Sequence, residues 1–331
     1  MIISRTPFRI SFFGGGTDYP AWYHNKAGAV LSTTIDKYCY ITCRYLPPFF
    51  DHKYRILYSK VETVKHVSEI VHPAVKAILQ FTKIKGGLEI HHDGDLPART
   101  GLGSSSSFTV GMLNAVYALK GITTSKYRLA KEAIKIERCI LREHVGSQDQ
   151  IAAAYGGFNK INFGNNDEFF VEPIILPSSR LAELQDHLVL IFTGFSRFAS
   201  KVAEKQIKIT PKKEKELTSM YKMVDEARDI LSGGTNINEF GKLLNESWCL
   251  KKSLTDKIST PVIDQIYAEA IKAGATGGKL LGAGGGGFLL FFVKPNRRNN
   301  VKHRLRRLLE VGFKFENVGS QIIFYQDQGM H

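Results

Sequence analysis

Cysteine and acidic side chains are scarce in this 331-residue chain, and long apolar runs are missing. The four cysteines, Cys39, Cys43, Cys139 and Cys249, show neither paired zinc spacing nor a redox pair, so they read as reduced thiols without a disulfide or metal role. No apolar stretch approaches membrane-spanning length, and Met1-Ile2-Ile3-Ser4-Arg5 runs straight into a strand-like pattern instead of a secretion signal. Together these predict a cytoplasmic protein with no membrane partner. Only 31 Asp and Glu stand against 45 Lys and Arg, a formal charge of +14. Such an excess suits nucleic acid, anionic small substrates or a solvated surface. The basic blocks at 201–215 and 297–307 lack the aromatic interleaving of RNA readers, so nucleic acid is not expected as a partner.

Two familiar nucleotide signatures are also missing. The closest approach to a Walker loop, Gly274-Ala275-Thr276-Gly277-Gly278-Lys279-Leu280, has the wrong count and no hydroxyl after the lysine. The run at 282–287 satisfies dinucleotide spacing, but a buried-strand pattern, Phe288-Leu289-Leu290-Phe291-Phe292-Val293, follows where that fingerprint needs a helix.

What is present is Leu96-Pro97-Ala98-Arg99-Thr100-Gly101-Leu102-Gly103-Ser104-Ser105-Ser106-Ser107-Phe108. Gly101 and Gly103 allow close backbone approach to a ligand, and four serines supply donors where a helix begins. Phe108, Met112, Val116 and Leu119 carry that helix at helical spacing, a serine can cap it, and Gly121 follows its end. A phosphate cradle and an ordinary Gly/Ser-rich loop are the two readings.

Residues 8–13 form a strand with Phe8, Ile10 and Phe12 inward and Arg9 and Ser11 on the other side, ending in Gly14-Gly15-Gly16-Thr17-Asp18. That turn suits a hydroxyl-bearing ligand or a plain hairpin loop. Strands are expected at 29–35, 38–45, 54–59 and 87–92, and a helix at 67–81. His91 and His92, adjacent on a strand, face opposite ways and do not share a metal. In the helix at 126–142, Leu129, Ala130, Ala133, Ile134, Ile136, Ile140 and Leu141 fill one apolar arc with Glu137 near its middle. A carboxylate there needs a cation, a metal or a strong donor; an internal salt bridge and magnesium are the candidates. Ser147 and Gln150 form a capping-box pattern that puts Asp149 in the first turn of a short helix, either as a plain dipole partner or as a general base. A domain boundary follows the Pro/Ser-rich segment at 173–179. The second half alternates strands (188–192, 287–293, 321–325) with helices (201–231, 236–251, 261–273, 297–309), and the chain has no internal repeat.

Taken together, Phe8-Arg9 through Asp18, the Gly101-Leu102-Gly103-Ser104-Ser105 loop, Asp149 and the run at 282–287 resemble the GHMP kinases in order and spacing over nearly the whole chain. Within that family the first and last glycine motifs most resemble the branch acting on D-glycero-D-manno-heptose 7-phosphate. The resemblance implies an α+β fold of two domains, residues 1–185 like domain 2 of ribosomal protein S5 and residues 186–331 ferredoxin-like. It implies ATP and Mg2+ as cofactors and transfer to the anomeric C1 hydroxyl of the heptose 7-phosphate, toward GDP-heptose for surface polysaccharide, by a monomer or homodimer. A fucose-type sugar 1-kinase and an idle RNA-binding member are the rivals. By position, Gly101, Leu102, Gly103, Ser104, Ser105, Ser106 and Ser107 would bind ATP phosphates, Ser105 and Glu137 magnesium. Asp149 would be the base, with Arg9 beside it. Gly14, Gly15, Gly16, Thr17, Asp18, Gly284, Gly285 and Gly286 would line the substrate side. Lys279 and Arg197 are assigned to the sugar's own phosphate from charge and position. Gly15-Gly16 replaces the Glu-His pair of galactokinases, and Arg99 stands where the family usually has glycine.

Overall fold

The computed structural model describes residues 1–195 and 199–326. Its first seven strands are β1 (Ile2–Phe13), β2 (Gly28–Tyr45), β3 (Tyr54–Leu57), β4 (Val61–Val64), β5 (Leu88–Gly94), β6 (Phe158–Phe163) and β7 (Phe169–Pro173). Strands β8 (Leu188–Phe192), β9 (Ala275–Leu280), β10 (Phe288–Val293) and β11 (Leu309–Glu310) follow, then β12 (Phe315–Glu316) and β13 (Gln321–Tyr325). The large sheet runs β13-β1-β2-β5-β3-β4, with β12 and β6 also on the long β2 and β7 beyond β6. The small sheet runs β11-β8-β10-β9, all antiparallel, the strand–helix–strand–strand–helix–strand plan of ferredoxin-like domains. This is the α+β architecture that the resemblance implies.

Helices α1 (Pro20–Tyr23), α2 (Pro73–Thr82), α3 (Ser104–Leu119), α4 (Lys126–Lys135), α5 (Gln148–Tyr155) and α6 (Ser178–Asp186) accompany the first half. Helices α7 (Ala199–Ile209), α8 (Glu214–Ser232), α9 (Asn238–Leu254), α10 (Pro261–Lys272) and α11 (Arg298–Arg304) accompany the second. Both α3 and α5 lie across β1 and β2, while α8 and α9 also reach β1, so β1 is covered on both faces and even Arg9 and Ser11 are buried. The halves share one core: the Phe12 and Phe13 rings meet Phe240 of α9 at 5.5 and 5.1 Å.

Several expected elements are redrawn. Residues 29–35 and 38–45 are one strand, because an irregularity at Pro7/Phe8 of β1 absorbs the residues between them. The helix expected from 67 begins at Pro73, which lacks the N–H a helix interior requires and sits at N1 instead. Pro211 splits the long helix at 201–231 into α7 and α8 for the same reason. Strand β9 was hidden by Gly277 and Gly278; a Cβ at Gly277 would lie within 3.0 Å of the Gly241 carbonyl of α9. The last strand, β13, pairs with β1 and not with the second sheet, so the chain end returns across the boundary expected at 185/186. No helix among the described residues is long and apolar enough to cross a membrane.

Candidate active site

The Gly101 loop is held from behind by the glycine run between β9 and β10. The Thr100 carbonyl accepts from the Phe288 N–H at 3.2 Å, and Cβ atoms added at Gly282 or Gly287 would drive into Gly101 or Thr100. Arg99 has a left-handed φ of 63°, the conformation that explains glycine as the usual occupant of its position. Gly103, at φ 77°, is the N-cap of α3. No serine caps that helix; the Ser104 hydroxyl accepts from the Arg99 N–H at 3.1 Å instead. The first N–H groups of α3 therefore have no side-chain cap, the arrangement that receives an anion at the positive end of a helix. The Ser107 hydroxyl faces the other way and donates to the Pro7 carbonyl at 2.9 Å.

Beside this loop Arg9 grips Asp149. Its Nε and Nη2 each donate to one carboxylate oxygen at 2.8 Å, while Nη1 donates to the Gly101 carbonyl at 2.6 Å. One buried guanidinium thus joins the phosphate loop to an acid that keeps 27 % of its side-chain surface exposed. A Cβ on Gly103 would come 3.5 Å from Asp149 Oδ2, so loop and carboxylate share one wall. Asp18 lies nearby, fully buried. It accepts from the Gly16 N–H at 2.8 Å and from Gln148 Nε2 at 3.0 Å, and burial pushes its carboxyl above the ordinary range. Within its turn, Thr17 is structural, its hydroxyl donating to the Gly14 and Ala29 carbonyls at 2.8 and 2.9 Å. Gly14 and Gly16 are packed against the protein and only Gly15 faces open space.

Glu137 is buried as its place on the apolar arc implies. It is the second residue of the five-residue π-helical turn Ile136–Ile140 that follows α4. The hydroxyl that meets it belongs to Ser106, at 2.9 Å; the expected Ser105 is exposed, one helical step round. Gln150 Nε2 donates to the same carboxylate oxygen at 2.5 Å. Burial raises the Glu137 carboxyl to about 7 against the opposing pull of the Thr109 and Ser106 hydroxyls and the Gln150 amide, and its Oε1 is buried with no hydrogen bond of normal geometry among the described residues. An orphaned anionic oxygen beside a hydroxyl fits a magnesium ion that takes its other ligands from phosphate and water. No group of three His, Cys, Asp or Glu among the described residues could hold a metal alone.

The capping box is not formed. Ser147 Oγ pairs with the Tyr23 hydroxyl at 2.9 Å while Gln150 turns to Glu137, because both find partners in the interior. Tyr23 and Asp167 also receive Arg138 Nη1, each at 2.8 Å, a clamp on the π-helical turn that leaves no sequence-local signal. Lys279 is 2 % exposed and donates to the Phe12 carbonyl at 2.5 Å, so it ties the two sheets together and offers no accessible anion pocket. Gly284, Gly285 and Gly286 are buried: a Cβ at Gly284 would meet Ile258, one at Gly286 would meet Phe195, and the Gly285 N–H donates to the Ile258 carbonyl at 2.9 Å. Arg197 lies outside the described residues. Lys251 was not expected here: buried on α9, it donates to the Gly282 carbonyl, and desolvation with the Arg9 charge lowers its ammonium to about 8.

Comparison with known proteins shows the family and the fold. Residues 67–157 match the model of the GHMP kinases N terminal domain and residues 223–311 that of the GHMP kinases C terminal domain. The chain is 32 % identical to the D-glycero-alpha-D-manno-heptose 7-phosphate kinase of Campylobacter jejuni over 318 residues, 92 % of this chain and 93 % of that one. Its fold is similar to that of a D-glycero-D-manno-heptose 1-phosphate kinase from Bacteroides thetaiotaomicron, at TM-score 0.81 and 24 % identity over 99 % of this chain and 100 % of the other. A putative sugar kinase from Campylobacter jejuni superimposes at TM-score 0.69 with 28 % identity, covering 97 % and 98 % of the two chains.

Proposed function

The chain belongs to the GHMP kinase family and is one of its sugar kinases, and on that premise we propose that it transfers the γ-phosphoryl group of ATP to the C1 hydroxyl of D-glycero-D-manno-heptose 7-phosphate. The observation that carries the chemistry is the Arg9–Asp149 pair fastened to Gly101. The triphosphate lies over residues 101–106 at the N-terminus of α3, and the sugar hydroxyl approaches Asp149 from the open side of the cleft. Asp149 accepts the hydroxyl proton as oxygen attacks phosphorus; Arg9 orients that carboxylate through two hydrogen bonds and faces the charge building on the phosphoryl oxygens. Glu137 and Ser106 would hold magnesium, which offsets phosphate charge when bound. The 1,7-bisphosphate formed would lead toward an activated heptose for surface polysaccharide.

A second reading, a 1-kinase for an unphosphorylated sugar such as fucose, is favoured by one observation: the burial of Lys279 removes one of the two cations assigned to the 7-phosphate. An ADP-release assay over heptose 7-phosphate, free heptose, fucose and galactose separates the two, with 31P NMR fixing the position phosphorylated. Heptose 7-phosphate is expected to give the highest kcat/KM; free sugar matching it would overturn the choice. Asp149→Asn is expected to lower kcat about 10³-fold with KM little changed, the size of a lost general base. A mutant within tenfold of wild type would remove Asp149 from the chemistry.

A further inference from the structure

The basic block at 297–307 has no part in the catalytic cleft. It builds a second cleft, of about 600 Å³, between α10 and the segment running from α11 into β11. Val262, Ile266, Leu305 and Leu308 give this cleft an apolar wall, and His303, Arg304, Arg306 and Arg307 surround its rim. Glu269 is the acidic residue of the lining, and it is already engaged by Arg304 and, at 3.3 Å, by Lys272. Arg306 reaches only His303, at 3.2 Å, and Arg307 has no hydrogen bond or ion pair among the described residues. Arg306 and Arg307, which meet no carboxylate among the described residues, repel each other on this rim, and an anion relieves that repulsion. A polar rim over an apolar wall, at this volume, matches a small-molecule site.

We propose that this cleft binds a phosphorylated small molecule, its phosphate on Arg306 and Arg307 and its carbon skeleton against Val262 and Ile266. The cleft also touches the catalytic loops through Thr193. The Thr193 hydroxyl donates to the Gly287 carbonyl at 2.8 Å and accepts from the Gly287 N–H at 3.2 Å, and Gly287 packs on Thr100. An occupant that shifts Thr193 therefore shifts the support of the Gly101 loop, which gives the site a route to control turnover. The proposal stands whichever sugar the enzyme phosphorylates.

The test is calorimetric titration of the full chain with fructose 1,6-bisphosphate, the ATP site being filled with ADP and magnesium, repeated on R306E/R307E and on the milder R307Q. Binding to wild type, weakened at least tenfold in R306E/R307E and by less in R307Q, with the basal kcat of both variants unchanged, supports the site. Equal binding by wild type and R306E/R307E, or no binding to wild type, overturns it. So does a wild-type chain that ignores the bisphosphate but takes up RNA or anionic lipid vesicles through the same arginines. Thermal melting of the variants shows that a loss of binding is not a loss of fold.

Discussion

Two glycine-rich loops meet at Thr100 and Gly101 and use the same residue in opposite ways. In the first, glycines bend the chain so that the N-terminus of α3 opens outward beside Asp149. In the second, between β9 and β10, the missing side chains let backbone pack on backbone: Gly282 against Gly101, Gly287 against Thr100, Gly284 against Ile258. One loop faces outward because the other braces it from behind. Glycine content thus announces close approach, and only the fold says what approaches.

The strongest way to break this contrast is Gly287→Ala. The position has φ 103°, and a Cβ there would overlap the Thr100 carbonyl, a backbone atom that cannot swing aside. Overpacking and left-handed strain together are expected to cost about 3 kcal/mol or more, and the ATP KM should rise as the Gly101 loop is displaced. Urea denaturation and ADP release check the two effects. A variant that keeps both stability and KM would show that the second loop does not brace the first.

Glu137→Gln sharpens the comparison from the ligand side. Burial raises this carboxyl from 4.5 to about 7, so the native chain holds its proton more tightly than the unfolded chain. That contribution is fully present below pH 4.5 and is lost as pH rises to 7. Above 7 the fold carries a buried charge worth about 3 kcal/mol. The glutamine variant is therefore expected to be more stable than wild type at pH 8 and no more stable at pH 4.5. Millimolar magnesium with ADP should raise the melting temperature of wild type far more than that of the variant. Parallel stability–pH curves would mean that Glu137 does not lie charged in the interior.

What was legible in the sequence follows from how local each signal is. Glu137 could be read because a carboxylate in the middle of an apolar arc has no surface explanation. Lys251 carries the same signature, following Leu244, Ser247 and Trp248 on the buried face of α9, but one lysine stands out poorly among 45 basic residues. The four serines could be read as a group and not singly. Their separate directions depend on where α3 starts, which Gly103 sets, and that choice gives Ser106 rather than Ser105 to Glu137. The Arg9–Asp149 contact spans 140 residues, so no periodicity could reveal its bidentate geometry; only the resemblance to a family put the two side by side. Prolines, by contrast, act locally, and Pro73 and Pro211 moved helix boundaries for a reason already present in the chain.

The smallest effect belongs to the glycine that neither loop constrains. Gly15 has no positive φ, and a Cβ added there meets nothing within 4 Å, although Gly14 and Gly16 on either side are hemmed in. Alanine at this position should therefore leave the melting curve unchanged to within about 0.5 kcal/mol. Any change it causes must come from something absent from the folded chain alone. If the sugar enters over the turn that carries Asp18, Gly15→Ala should raise KM for the sugar several-fold while KM for ATP and the stability stay put. If both Michaelis constants are unmoved, the open space above Gly15 is solvent and the sugar lies against another wall of the cleft.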